Sequence, residues 1–157
     1  MKNITLVRID DRLIHGQVMT QWVKSRPVNT ILIVDNDIAK DDFLKSIATM
    51  AAPKEFKTFV MSVDDAAEYL CGEEKDENVL ILVKFVSVIE ELTKRGVEIP
   101  ALNVGGIGMK SDRKSIYRNI AISNEEKETF LRLISDGMKV YVQIVPADSP
   151  LDIEKLL

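Results

Sequence analysis

The chain has 157 residues, a length that fits one domain at roughly 150 residues per domain. Apolar residues make up 46% and charged residues 29%, which is typical of a globular chain that buries a core. The formal net charge is −4 and no basic run occurs, so the composition favours neither nucleic acid nor an anionic membrane surface as a partner.

Counting residues also disfavours several other classes of protein. The longest apolar stretch, 79–83, is far shorter than the ~20 residues of a membrane-spanning helix. The first residues reach Arg8 and Asp10 too early for a secretion signal. The one cysteine, Cys71, cannot form an internal disulfide, which fits a reducing cytoplasm. One cysteine and one histidine cannot supply a zinc cluster. Counting does not exclude a carboxylate-rich magnesium site, but no loop stands out for one, and we expect no cofactor.

Short β-rich runs alternate with helical patterns along nearly the whole chain. The predicted strands, in chain order, are 3–9, 30–34, 57–61, 79–83, 99–104, 120–122 and 139–145. The helical patterns cover 16–25, 41–52, 62–70, a segment marked by Val86, Ile89 and Leu92 and closed by Gly96, a segment opened by Ser123 and ended by Gly137, and 152–157. This alternation predicts a doubly wound α/β fold, with a mainly parallel central sheet of six to seven strands and helices on both faces. We expect a single domain over 1–157, in which 105–119 is the longest irregular segment.

Two helices carry apolar stripes that we expect to face the core. The stripe of the helix over 41–52 consists of Phe43, Leu44, Ile47, Ala48 and Ala51. The last long helix begins with a capping box, Ser123 and Glu126, and its predicted buried face consists of Phe130, Leu131, Ile134 and Met138.

Polar residues and glycines follow the predicted strands at the edge where open α/β sheets form their sites. In chain order they are Asp10, Asp11, Arg12, His15, Gly16 and Gln17 after the first strand, Asp35 after the second, Ser62 after the third, Lys84 after the fourth, and Gly105 and Gly106 after the fifth. The first of these loops is the most polar and holds the only histidine of the chain.

The position of His15 before a predicted helix suggests chemistry with phosphate. The N–H groups of a helix start are unsatisfied and favour anions, and a neutral imidazole is a nucleophile toward phosphorus. Arg8 and Arg12 can balance the charge on transferring oxygens, while Asp10 can bond one ring nitrogen and leave the other free.

Each of these residues also has a structural interpretation. His15 can be an ordinary exposed residue, and Arg8 with Asp10 can form a plain salt bridge. Lys84 can be a solvated cation, and Asp35 can simply cap a helix. Gly105 and Gly106 lack the order of a phosphate-binding glycine motif, so a turn explains them too.

The segment 7–18, with the sequence VRIDDRLIHGQV, resembles the IIB component of the mannose/fructose/sorbose family of the bacterial sugar phosphotransferase system. Further segments agree in order along essentially the full length, namely 50–53 (MAAP), 103–106 (NVGG) and 145–146 (VP) with Asp148. Two places depart from the family pattern. Many relatives have paired aspartates where this chain has Asp35-Asn36, and a polar turn where it has Lys84-Phe85-Val86.

The resemblance implies a specific role for the chain. It implies a cytoplasmic phosphocarrier, peripherally associated with the transporter, that accepts a phosphoryl group on His15 from the IIA component. The group then passes to a hexose-type sugar during uptake through the membrane components IIC and IID, so the chain acts as a phosphohistidine–sugar phosphotransferase. By residue match, Arg8, Asp10 and Arg12 support His15. The resemblance does not name the sugar or the phosphorylated nitrogen, and it leaves the oligomeric state open, a homo-oligomer included.

Two other classes of function are compatible with the fold class. A receiver-like regulatory domain would use an aspartate after its third strand, where this chain has Ser62. A nucleotide-binding enzyme would need a phosphate-binding fingerprint, and neither the P-loop nor the dinucleotide pattern occurs.

Overall fold

The fold comes from a computed structural model that describes residues 1–157, apart from the side chains of Gln17 and Val18. Nine strands are described: β1 Asn3–Asp10, β2 Thr30–Val34, β3 Lys57–Met61, β4 Asn78–Val83, β5 Ala101–Gly106, β6 Lys114–Tyr117, β7 Ile120–Ile122, β8 Lys139–Val142 and β9 Leu151–Asp152. Six α-helices are described: α1 Gly16–Ser25, α2 Asn36–Ala39, α3 Asp42–Met50, α4 Val63–Cys71, α5 Val86–Lys94 and α6 Asn124–Ser135; a 3₁₀ turn spans Ile153–Leu156.

Seven strands form one central sheet in the order β3-β2-β4-β1-β5-β8-β9. All neighbours pair in parallel except β8 and β9, which are antiparallel. Strands β2 and β4 are apolar along nearly their whole length because helices cover both faces of the sheet. The doubly wound α/β fold predicted from the sequence is confirmed.

The two faces of the sheet carry separate apolar cores. On one face α1 packs through Met19, Trp22 and Val23 against the apolar side chains of β2 and β4. On the other face α4, α5 and α6 bury their apolar stripes in a larger cluster. Since β1 lies at the centre of the sheet, its carboxyl end is supported from both sides.

Helix α3 does not bury the stripe predicted from its sequence. Of that stripe, Phe43 is 71% and Ile47 52% exposed, and Leu44 and Ala51 are also exposed. The helix lies beside the edge strand β3, and of the stripe only Ala48 packs against the core. Helical periodicity identified the helix correctly, but the position at the end of the sheet leaves nothing for the large side chains to contact. Leu131 of α6 is likewise exposed, contrary to prediction.

The predicted strand 120–122 is present as β7, but it does not join the central sheet. It pairs with β6, which lies in the segment predicted to be irregular, in a separate two-stranded antiparallel sheet. Strand β8 ends at Val142, three residues before the predicted end, because the next carbonyl groups turn toward a buried arginine described below. Among the residues described, no helix is long and apolar enough to cross a membrane.

Candidate functional site

The candidate site is built on a charged residue that lies inside the sheet. The side chain of Arg8, on β1, is fully buried. Its Nη1 donates to Oδ1 of Asn103 and to the carbonyl of Gln143, and its Nη2 donates to the carbonyl of Ile144 at 3.0 Å. The guanidinium lies over the ring of Trp22, 4.9 Å from its centroid. The arginine is thereby fixed as a rigid support at the end of β1.

Asp10 is the hub that connects this support to the surface. Its Oδ2 accepts from Nη2 of Arg8 at 3.2 Å and from Nη2 of Arg12 at 3.0 Å. Its Oδ1 accepts from Nε of Arg12 at 3.0 Å and from the backbone N–H of the same residue at 3.1 Å. The bidentate pair with Arg12 has the geometry in which arginine binds carboxylate best.

His15 completes the cluster through one ring nitrogen. Its Nε2 lies 3.1 Å from Oδ2 of Asp10, and its side chain is 25% exposed. Since Asp10 is the hydrogen-bond acceptor here, the tautomer that satisfies both groups has its proton on Nε2. The lone pair of a neutral His15 is then on Nδ1.

The backbone between Asp10 and α1 makes a tight turn that returns His15 over the carboxylate. Leu13 donates its N–H to the carbonyl of Asp10 at 2.9 Å. Leu13 and Gly16 adopt φ values of 58° and 47°, in the left-handed region that a leucine rarely occupies. His15 is the N-cap of α1 and makes no side-chain cap hydrogen bond to the start of the helix.

The charges of the cluster favour an ionised Asp10. Burial is the largest influence and opposes ionisation, but the hydrogen bonds from Arg12 and His15 and the charge of Arg8 together outweigh it, so the pKa of Asp10 is lowered. The hydrogen bond to Asp10 raises the pKa of Arg12. Burial lowers the pKa of Arg8, although Asp10 opposes this shift.

Two glycines of β5 make room for the cluster. A Cβ on Gly105 would lie within 3.0 Å of Cζ and both Nη atoms of Arg8, a separation that real side chains essentially never show. A Cβ on Gly106 would lie 3.1 Å from Oδ1 of Asp10 and 3.2 Å from Nη2 of Arg12. The sequence allows either a phosphate-binding loop or a turn at these glycines. The structure instead places them in a strand that packs against the charged side chains.

Arg8 and Arg12, for which the sequence predicts the same role, differ in solvent exposure. The side chain of Arg12 is 47% exposed, whereas that of Arg8 is 0% exposed. Only Arg12 is therefore accessible to a group that approaches His15 from solvent.

The other predicted site residues are not all brought to His15. Asp35 accepts from the N–H of Ile38 and Ser62 accepts from the N–H of Asp65, so both cap helices. Their strands β2 and β3 are the second and third neighbours of β1, behind β4. Lys84 directly follows β4, whose Val83 pairs with Ile9. Gln17 belongs to the first turn of α1, and its side chain lies outside the described part of the chain.

Sequence reasoning missed four residues that shape the site: Trp22, Asn103, Asn119 and Gln143. Trp22 is part of the core, and its Nε1 also donates to the carbonyl of Ile144 at 3.0 Å beneath Arg8. Asn103 is a fully buried amide in the apolar strand β5, and this break in the pattern was a usable signal. The side chain of Asn119 donates to the carbonyl of Gly105 at 3.1 Å, and no pattern in the sequence announces this contact.

Within the described residues, no group of three or more histidine, cysteine, aspartate or glutamate side chains could hold a metal ion. The carboxylate of Asp10 is already used by two arginines and a histidine. The residues around His15 thus form a hydrogen-bonded network of arginine, carboxylate and imidazole. The positive charges of this network are those of Arg8 and Arg12.

The chain is similar in sequence to known proteins. Residues 4–157 match the family model described as the PTS system sorbose subfamily IIB component. The fructose-specific EIIB component of Bacillus subtilis is 32% identical over 158 aligned residues, which cover 100% of this chain and 97% of the relative. The mannose-specific EIIAB component of Escherichia coli is 32% identical over 98% of this chain, which spans only 48% of that longer protein.

Solved structures show the same likeness. The manxB structure from Thermoanaerobacter tengcongensis has a TM-score of 0.90 and 37% identity, and covers 99% of this chain and 97% of that one. The IIB domain of the sorbose permease from Klebsiella pneumoniae has a TM-score of 0.91 and 30% identity, with 98% and 94% covered. The chain therefore belongs to the IIB components of the mannose/fructose/sorbose family of the sugar phosphotransferase system.

Proposed function

We propose that His15 accepts a phosphoryl group from the IIA component and passes it to a sugar that enters through the membrane components IIC and IID. The observation that carries this proposal is the 3.1 Å contact between Nε2 of His15 and the buried carboxylate of Asp10. It occupies one ring nitrogen and leaves Nδ1 of a partly exposed imidazole as the nucleophile.

The proposed transfer to and from His15 uses charged groups that are already in place. The Nδ1 lone pair attacks phosphorus, the bond from phosphorus to the donor nitrogen breaks, and the electron pair leaves with the donor. The proton on Nε2 stays on the ring, which becomes cationic, and Asp10 stabilises that charge. In the transfer to the sugar, a hydroxyl oxygen of the sugar forms a bond to phosphorus, the P–N bond breaks and its electron pair returns to Nδ1. The hydroxyl proton leaves to solvent water, and the carrier is restored.

Arg12 and Arg8 have different roles in this proposal. The exposed guanidinium of Arg12 keeps one Nη free beside Asp10 and can contact the phosphoryl oxygens. Arg8 is buried and acts by holding Asp10 in place. Arg8 is thus a positioning residue, and the first N–H groups of α1 provide further donors next to His15.

The test is phosphorylation by phosphoenolpyruvate through enzyme I, HPr and a cognate IIA component. We expect one acid-labile, base-stable phosphoryl group per chain, located on Nδ1 by ³¹P and ¹⁵N NMR, and no label in His15→Ala. Arg12→Ala should fold normally and accept the group about 10²-fold more slowly, as expected for loss of one charge-stabilising donor. Label that persists in His15→Ala, or that resides on Nε2, would refute the assignment.

A further inference from the structure

A group of cations without carboxylate partners lies beside His15. Lys84, Lys110 and Arg118, together with Phe85, are called the basic rim below. Within the described residues none of the three cations forms an ion pair. The ammonium groups of Lys84 and Lys110 lie over the ring of Phe85, at 5.4 and 5.1 Å from its centroid. This arrangement brings the ends of two distant segments together around one aromatic ring.

The strand register places the basic rim next to the candidate site. Val83 pairs with Ile9, so Lys84 follows β4 where Asp10 ends β1, one strand spacing away. The segment that carries Lys110 is fixed to the histidine loop because Gly108 donates its N–H to Asp11 at 2.7 Å.

Arg118 is held near the same edge through its neighbour. The side chain of Asn119 donates to the carbonyl of Gly105 and would lie 3.2 Å from a Cβ on Gly106. Arg118 itself is exposed in the turn of the β6–β7 hairpin, over the ring of Tyr117.

The acidic groups of this edge only partly offset the basic rim. Asp11 is used by the N–H of Gly108, and Glu126 is paired with Arg113 at 2.8 Å. Asp112 and Glu125 line an open cleft of about 240 Å³ between Phe85 and the start of α6 and make no ion pair. The exposed guanidinium of Arg12 adds to the positive charge on the side of His15.

This local positive charge belongs to a chain whose net charge is −4. An acidic partner is therefore repelled by the chain as a whole and attracted at one edge, which orients its approach toward His15. A diffusing donor gains most from such steering, since a permease held in one complex already has a high local concentration. A phosphorylated donor also brings about two extra negative charges, and loses them when transfer is complete.

We propose that the basic rim is the docking surface for an acidic protein surface surrounding the phosphohistidine of the donor IIA component. The inference rests on the proposed function of His15. Transfer moves the phosphoryl charge from the donor to this chain, which weakens the attraction and favours release of the donor.

The experiment compares two double variants with the same change of charge. Lys84→Glu/Lys110→Glu alters the rim, whereas Lys57→Glu/Lys139→Glu alters exposed lysines at the amino ends of β3 and β8, on the opposite edge. Rapid-quench kinetics give kcat/KM and the saturated rate for transfer from phosphorylated IIA at 25, 100 and 400 mM NaCl.

For the rim variant we expect kcat/KM to fall about 10- to 100-fold at low salt, with a weaker dependence on salt. Its saturated rate should stay within about 3-fold of the wild type, and His15 should still be labelled. The control should keep the wild-type kcat/KM within about 3-fold. The milder variant Lys84→Gln/Lys110→Gln should lose an intermediate amount of kcat/KM, and it provides the test if charge reversal disturbs the fold.

Equal losses in rim and control variants would overturn the docking proposal while leaving the role of His15 intact. So would a rim variant that accepts the group normally but fails to pass it to membrane vesicles containing IIC and IID, because the surface would then serve the acceptor. A wild-type chain that IIA cannot label would overturn the carrier function itself.

Discussion

Replacing Gly105 with alanine should disrupt the buried support of the site. The new Cβ would overlap the guanidinium of Arg8. The guanidinium cannot move aside without breaking some of the four hydrogen bonds that it donates to the side chains and carbonyls around it. Breaking a buried charged network costs about 3–5 kcal/mol, and alanine recovers about 0.4–1 kcal/mol by restricting the unfolded chain. We therefore expect a net loss of about 2–4 kcal/mol.

Urea unfolding measures this loss directly. With a slope of about 2 kcal/mol/M, the midpoint should fall by about 1–2 M. Gly108→Ala is the matched control, because its Cβ would meet only Oδ2 of Asp11 at 3.1 Å, and it should change stability by less than about 1 kcal/mol. If both substitutions shift the midpoint equally, the guanidinium does not fill the space against Gly105 and the reasoning is wrong.

Two further predictions concern stability. The lowered pKa of Asp10 contributes stability that is present above its unfolded pKa of about 4 and is lost as the pH falls through the folded pKa, because the unfolded state then binds more protons. The difference in unfolding free energy between wild type and Asp10→Asn should thus shrink as the pH falls below about 4; a difference that stays unchanged between pH 5 and 3 would contradict this. Ser123→Ala removes the acceptor of the Glu126 N–H at 3.1 Å and half of the capping box, so it should cost about 1 kcal/mol and lower the melting temperature by about 2–4 °C. An unchanged melting temperature would show that Glu126, also held by Arg113, caps the helix alone.

The fold was predictable because its signals are local. Apolar runs such as β2 and β4, and the capping box at Ser123, identify strands and helix starts without knowledge of tertiary contacts. The exposed stripe of α3 was not predictable, since exposure depends on where β3 falls in the sheet order. Strands β6 and β9 are too short to give a periodic signal, so the pairing of β7 with β6 was not predictable either.

The residue types of the candidate site were predictable from the sequence, but the burial of each side chain was less so. His15, Asp10 and Arg12 fall in one short loop, so their proximity follows from the sequence. Whether Arg8 faces solvent depends on acceptors 95 to 136 positions away along the chain, and no local pattern contains that information. For the same reason the buried amide of Asn103 gained its meaning only once β1 and β5 were seen to be neighbours.

Arg8 also disfavours incorrect registers between strands of the sheet. Strands that are apolar on both faces do not resist sliding past one another, because a shifted apolar residue still meets an apolar surface. Arg8 lies opposite Asn103 on β5, and two further acceptors, the carbonyls of Gln143 and Ile144, follow β8. A shift of either strand by one residue would separate a buried cation from acceptors that it needs, at a cost of several kcal/mol. The contacts that hold Arg8 beside Asp10 therefore also favour one strand register during folding.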